Sequence, residues 1–122
     1  MSEPARGEIW EVNFDPTVGA EIRKVRPAGV VNVPRVGKLP LLIVVPITEW
    51  NPIYEQYVWF TRLAPTAENG LRKSSGADAF QVKSLSRQRL VRRMGRLSAT
   101  ELQAVAAAVA LCVGYQHPLT AT

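Results

Sequence analysis

One histidine, one cysteine and no long apolar run set the first limits on this 122-residue chain. A lone Cys112 can form neither an internal disulfide nor a cysteine-based zinc site. The lone His117 follows Gly114 and precedes Pro118, so it is expected on the surface of a short tail. A pair of histidines acting as acid and base is therefore impossible within one chain, and Ser-His-Asp or Cys-His chemistry lacks its partner. Leu41 to Ile47 is an apolar run of seven residues and Ala104 to Val113 one of ten, both far short of the roughly 18 a membrane span needs. The opening MSEPARGEIW carries acids and no apolar stretch, so no signal peptide is expected. There is no P-loop and no Gly-x-Gly-x-x-Gly. Glu8, Glu11 and Asp15 are too few carboxylates for an oxygen-ligand metal site, so neither metal nor other cofactor is expected. What remains is a small cytoplasmic protein with one domain over residues 1–116 and a tail over 117–122.

Acidic residues are scarce in one half. Residues 1–70 hold 7 Lys and Arg against 8 Asp and Glu, whereas residues 71–122 hold 8 against 2. Lys83 to Arg96 (KSLSRQRLVRRMGR) carries six cations and no anion. Such a block either attracts a polyanion through phosphate contacts and counterion release or is simply a solvated face.

The patterning predicts a mainly β protein with a C-terminal α-helix. Glu8 to Phe14 alternates, with Trp10, Val12 and Phe14 on one face and Glu11 and Asn13 on the other, which reads as a half-buried strand ending at Asp15-Pro16. Residues 16–25 read as a loop, and the stretch after Pro27 as a short second strand. Pro34 to Lys38 reads as a hairpin connection. Leu41 to Ile47 reads as a central strand covered on both faces, with Pro46 marking an edge or bulge near its end. Glu55 to Arg62 reads as a fourth strand, Leu63 to Asp78 as a long loop and Ala79 to Ser84 as a fifth strand. Arg87 to Leu97 reads as a helical turn followed by a strand. Ser98-Ala-Thr-Glu101 is a capping box, and Leu102, Val105, Ala106, Val109, Leu111 and Cys112 form an apolar stripe behind it, with Gly114 as the stop. Cys112 is expected to pack as a small hydrophobe on that stripe. Five or six strands and one helix suit a small, strongly curved sheet or barrel.

Without histidine or metal, the available chemistry is that of arginine, hydroxyl and carboxylate on a phosphodiester. The loop Gly19 to Ala28 packs Glu21, Arg23, Lys24 and Arg26 into six residues, and Pro27 restrains the strand entry after them. A guanidinium held there can clamp two phosphate oxygens and stabilise the added charge of a five-coordinate transition state, while being a poor general base at pH 7. Glu21 can accept a ribose 2′-hydroxyl proton if the loop brings it within reach. Thr48, where the central strand breaks into TEWNP, presents a hydroxyl at a strand end. Spacing alone leaves the bland reading open too, with Glu21 pairing Arg26 and Thr48 capping a turn.

Arg6-Gly-Glu-Ile-Trp10, Phe14-Asp-Pro-Thr-Val-Gly-Ala-Glu21, Arg26-Pro-Ala, Pro46-Ile-Thr48, Gln81-Val-Lys-Ser84, Arg89-Leu and Leu97-Ser98 occur in this order along nearly the whole chain. Together they resemble the MazF/PemK-type toxins of toxin–antitoxin pairs. The resemblance implies a small SH3-like β-barrel of the CcdB/PemK-like toxin fold, working as a homodimer. It implies a metal-independent endoribonuclease that cuts single-stranded RNA at short sequences, leaving 2′,3′-cyclic phosphate and 5′-hydroxyl ends. Arg26 and Thr48 would be its catalytic residues, and the family's loop glutamate falls on Glu21. RNA contacts are expected from Arg23 and Lys24 on the loop, from Gln81, Lys83 and Ser84, and from Arg92. A cognate antitoxin with an acidic, disordered C-terminal segment would plug the same groove.

Two departures stand out. Phe80 precedes the glutamine where members often carry Asp or Glu, and the insert Glu49 to Tyr54 places Trp50 and Tyr54 beside Thr48 for stacking on bases or for packing. Two other function classes compete. A CcdB-like gyrase poison would act by protein binding through an aromatic ending of the last helix, where this chain has Val113-Gly-Tyr115. A non-catalytic SH3-like RNA-binding module would keep the basic patch without needing Arg26 and Thr48 together.

Overall fold

The computed structural model describes residues 3–36 and 39–115, so His117 and the tail lie outside the described residues. Among the described residues, seven antiparallel strands form one curled sheet, followed by a single α-helix. They are β1 (Glu8–Asn13), β2 (Val25–Val30), β3 (Leu41–Glu49), β4 (Phe60–Leu63), β5 (Ser75–Asp78), β6 (Lys83–Ser86) and β7 (Leu90–Arg96), with α1 over Ala99–Cys112. The order is β4-β5-β3-β2-β1-β7, and β6 also pairs with β3. This is the expected mainly β architecture, built as a small barrel-like sheet that curls without closing.

The alternation in β1 works as read. Trp10, Val12 and Phe14 are buried with Ala28, Val30, Leu42, Val44 and Leu85 in one core. On the other side Ile9 joins Val45, Ile47, Leu63, Leu71, Ala77, Leu97 and Val105 under the helix. The seven-residue apolar run thus feeds both cores, Leu42 and Val44 one and Val45 and Ile47 the other, which is why it carries no polar alternation.

Pro46 corrects one expectation. It is fully buried and pairs with Ala28, so it lies at no outer edge. The Ile43 carbonyl accepts from Val31 N on the β2 side, which turns residues 44 and 46 the other way. On that side β6 pairs residues 41–44 and β5 pairs residues 47–49. The N–H that proline lacks therefore points into the gap between two partner strands, where no ladder bond is lost.

Other boundaries moved. β2 starts at Val25, before Pro27, because Val25 and Arg26 pair with Asn13 and Val12. The aromatic stretch is a strand only from Phe60. Asn51 caps a 3-10 turn over Pro52–Gln56 by accepting from Ile53 N at 3.1 Å, and cap chemistry with proline overrides the alternation there. Ser75–Asp78, read as loop, is a strand buried at all four residues between β3 and β4. Ala79–Gln81 is a 3-10 turn and not a strand, capped by Asp78, whose Oδ1 accepts from Phe80 N. The turn over Arg87–Arg89 before β7 and the Ser98–Glu101 capping box both form as expected.

Helix α1 packs on β4 and on residues 79–81, burying Val105 and Ala108. Leu111 and Cys112 are exposed, so the apolar stripe ends a turn earlier than read and Cys112 is not packed. Among the described residues no helix is long and apolar enough to cross a membrane.

Candidate active site

A cavity of about 450 Å³ opens where β2 enters the sheet and β3 leaves its pairing with β2. The β2–β3 register pairs Ala28 with Pro46, and carried two residues further it sets Arg26 opposite Thr48. Both line the cavity. Residues 22 apart in sequence are brought together by adjacent antiparallel strands. Arg26 is exposed and Thr48 half-buried. Among the described residues neither the guanidinium of Arg26 nor the hydroxyl of Thr48 is taken by a hydrogen bond or ion pair. A cation with five donors and a hydroxyl are thus open to the same space, as recognition of a phosphate group requires.

The walls add charge of both signs. Arg72, Lys73, Arg92, Glu11 and Glu49 also line the cavity. Lys73 pairs with Glu49 at 3.2 Å on the exposed rim. Arg92 donates from Nε to Glu11 Oε1 at 2.6 Å, and its Nη2 also contacts that oxygen. Four cations against two carboxylates leave the lining net positive, a field that favours an anionic substrate. Arg93, the neighbour of Arg92, turns away and pairs at 2.9 Å with the buried Glu8. Burial pushes the Glu8 carboxyl up, but bonds from the Ala5 amide and Trp10 indole, with Arg93, outweigh it and hold the group below its ordinary value.

Glu21 lies elsewhere. Its Oε1 accepts from Val18 N at 2.8 Å, and its Oε2 stands 3.7 Å from Lys83 Nζ. With Phe14, Lys83, Ser84 and Arg89 it lines a separate recess of about 190 Å³. It pairs with Lys83 and not with Arg26. The loop that carries it is tied at several points. Arg89 donates to the Asn13 and Asp15 carbonyls at 3.1 and 2.6 Å. Lys24, at a φ of +67°, donates its amide to Asp15 Oδ1. Ile22 N donates to Gln81 Oε1 at 2.6 Å, while Gln81 Nε2 donates to Asp78 Oδ2 at 3.0 Å. Burial pushes the Asp78 carboxyl up despite the bonds it accepts. Gln81 therefore spends both ends of its amide inside the protein, whereas Arg23 and Lys24 stay exposed on the loop.

Residues 5–113 match the PemK-like, MazF-like toxin family of type II toxin–antitoxin systems. The chain is 38% identical over 103 residues to Endoribonuclease MazF9 of Mycobacterium tuberculosis, a match covering 80% of this chain and 85% of that protein. It belongs to the PemK/MazF toxin family. The fold agrees: MazF from Deinococcus radiodurans superposes with a TM-score of 0.75 at 24% identity, over 92% of this chain and 97% of that one. A mycobacterial endoribonuclease solved in complex with its cognate antitoxin superposes with a TM-score of 0.72 at 15% identity, over 95% and 100% of the two chains.

The toxin's Trp50 and Tyr54 enter an aromatic cluster. Tyr54 stacks on Phe60 with centroids 3.9 Å apart, Trp50 meets Tyr54 edge-on at 5.5 Å, and the Arg62 guanidinium lies 5.0 Å from the Trp50 ring centroid. A Cβ on Gly76 would sit 2.9 Å from Phe60 and 3.1 Å from Trp50, so only glycine lets these rings settle on β5. Phe80 is 72% exposed and touches the cluster through Trp59. Glu11, Glu49, Arg72 and Lys73 were not singled out as site residues from sequence. Glu11 read as the wet face of a strand, and Arg72-Lys73 fell in a stretch taken for loop. No local signal marks them, because the cavity exists only once β1, β7 and residues 71–75 close around β2 and β3. No group of three His, Cys, Asp or Glu among the described residues could hold a metal ion.

Proposed function

We propose that this endoribonuclease toxin cuts single-stranded RNA at short sequences by attack of a ribose 2′-hydroxyl on the adjacent phosphorus, giving 2′,3′-cyclic phosphate and 5′-hydroxyl ends without a metal. One observation carries the reading: Arg26 and Thr48 stand uncommitted in the same positively lined cavity. Arg26 binds the scissile phosphate, stabilises the charge that grows on the phosphorane and passes a proton to the leaving 5′-oxygen. Thr48 fixes one phosphate oxygen so that the 2′-oxygen lies in line. Arg92 extends the phosphate path, and Arg23 and Lys24 meet it from the loop above. Lys83 and Ser84, in the neighbouring recess, take a flanking nucleotide. Bases beyond Thr48 reach Trp50 and Tyr54, which supply stacking surface. Glu21 shapes the loop through Val18 and Lys83, and Gln81 holds that loop to Asp78.

The same net-positive lining suits the acidic, disordered C-terminal segment of a cognate antitoxin, and the toxin acts as a cytoplasmic homodimer. Family membership and a structural relative solved with its antitoxin support this reading.

The test is a cleavage assay on a long, unstructured RNA in EDTA, with fragment ends mapped. Wild type is expected to leave discrete cuts with cyclic phosphate ends. Arg26→Ala should slow cleavage by about 10²–10³, the effect of removing one charge-stabilising donor, while an uncleavable 2′-O-methyl RNA still binds. Intact RNA across varied sequences would remove the catalytic reading.

A further inference from the structure

One cross-strand row of residues continues past Thr48. Directly opposite residues of an antiparallel pair put their side chains on the same face of the sheet. Thr48 pairs with Gly76 of β5, and Gly76 pairs with Arg62 of β4. The β2–β3 register sets Arg26 opposite Thr48 on its other side. Arg26, Thr48, Gly76 and Arg62 therefore share one face, while the alternating Ile47, Ala77 and Leu63 turn into the core beneath the helix. With neighbouring strands about 4.8 Å apart, Arg62 leaves the sheet about 10 Å from Thr48. Gly76, between them, has no side chain. Its place is taken by the Trp50 and Phe60 rings, which an added Cβ would meet at 3.1 and 2.9 Å. Both rings are half-buried, so an aromatic floor spans the gap between the threonine hydroxyl and the arginine.

The Arg62 guanidinium is held in place but not fully engaged. Its central carbon lies 5.0 Å from the Trp50 ring centroid, and Nε donates to Ser74 Oγ at 3.2 Å. Nη1 stands 3.5 Å from Glu55 Oε1, in an ion pair whose side chains are 57% and 66% exposed. Such a pair is weak in water and readily exchanged for another anion. Among the described residues Nη2 has no partner. A guanidinium already ordered against a ring loses little freedom when it takes a phosphate oxygen.

We propose that Arg62 is a second phosphate-binding residue of the toxin. It takes the phosphate of a nucleotide flanking the one held by Arg26 and Thr48, and the base between them lies over the Trp50 and Phe60 rings. This rests on the endoribonuclease reading above. Cations alternating with aromatic surface along one face suit a single strand, whose phosphates and unpaired bases alternate in the same way. Glu55 gives up the guanidinium as the phosphate arrives.

The experiment measures binding of an uncleavable 2′-O-methyl RNA spanning a mapped cut site, over a salt series, for full-length wild type, Arg62→Gln and Arg35→Gln. Arg35 is exposed between β2 and β3, at the far end of β3 from Thr48, and controls for the loss of one positive charge. Arg62→Gln should weaken binding about tenfold and lower the slope of log affinity against log salt by about 0.7, the value of one phosphate contact on a single strand. Arg35→Gln should leave that slope unchanged. Single-turnover cleavage of saturating RNA by Arg62→Gln should stay within threefold of wild type, because Arg26 and Thr48 hold the reacting phosphate. In a Trp50→Leu background Arg62→Gln should weaken binding less than it does alone, since the ring no longer orders the guanidinium. An unchanged slope in Arg62→Gln, an equal fall in Arg35→Gln, a larger loss of rate at saturation, or full additivity with Trp50→Leu would each overturn the assignment. Failure of the wild type to bind and cut varied RNAs would instead remove the endoribonuclease reading, and this assignment with it, so the two failures are distinguishable.

Discussion

Asn69 is completely buried, and replacing it by alanine should cost about 3 kcal/mol. Its Oδ1 accepts from Thr66 N at 3.0 Å and Leu71 N at 2.9 Å, and its Nδ2 donates to the Ala64 carbonyl at 2.8 Å. Asn69→Ala deletes all three bonds and strands three backbone groups. At about 1 kcal/mol for each bond, and more for the Leu71 amide because it is buried, the sum is about 3–4 kcal/mol. The loop has little room to recover them. Glu68 O accepts from Arg96 N at 2.9 Å, and the loop lies so close to β7 that a Cβ on Gly95 would fall 2.3 Å from Glu68 O. Against a total stability of roughly 5–15 kcal/mol, that is a large share. The assay is urea unfolding at one fixed protein concentration, with the midpoint lowered and the slope unchanged. Because the same loop delivers Leu71, Arg72 and Lys73 to the cavity, KM for RNA should rise as well. A loss under 1 kcal/mol would refute the reasoning and show that water or a shifted turn replaces the asparagine.

Two further outcomes are expected. Glu8→Gln should destabilise the toxin by roughly 1–2 kcal/mol at pH 7, since bonds to a charged acceptor become bonds to a neutral one. The Glu8 carboxyl is held below its ordinary value of 4.5, so its contribution is full above that pH and lost as pH falls through the folded value; the gap between variant and wild type should close in acid unfolding titrations. Gln81→Ala should release the loop: amide exchange at Ile22 is expected to rise at least tenfold while Val44 and Val45 keep their protection, and unchanged exchange at Ile22 would mean that Arg89 and Asp15 hold the loop without it.

Some of this protein could be read directly because the signal is local. β1 alternates, the β3 run is apolar throughout, and the capping box before α1 needs only Ser98 and Glu101. β5 could not be read, since Ser-Gly-Ala-Asp has no strand-forming character; it is a strand because β3 and β4 supply its partners and the aromatic rings need its glycine. Cys112 was misplaced for a related reason: helical spacing shows which residues share a face but not where the supporting sheet stops.

The sequence by itself determined the family, the β-then-helix order and the two residues, Arg26 and Thr48, offered for catalysis, because each rests on short motifs or periodicities. Only the tertiary structure decided that those two line one cavity, that Glu21 faces Lys83 in another, and that Glu11 pairs with Arg92. Which acid joins a site depends on strand register and on the loops that close over it, and these are set by pairing between residues far apart along the chain.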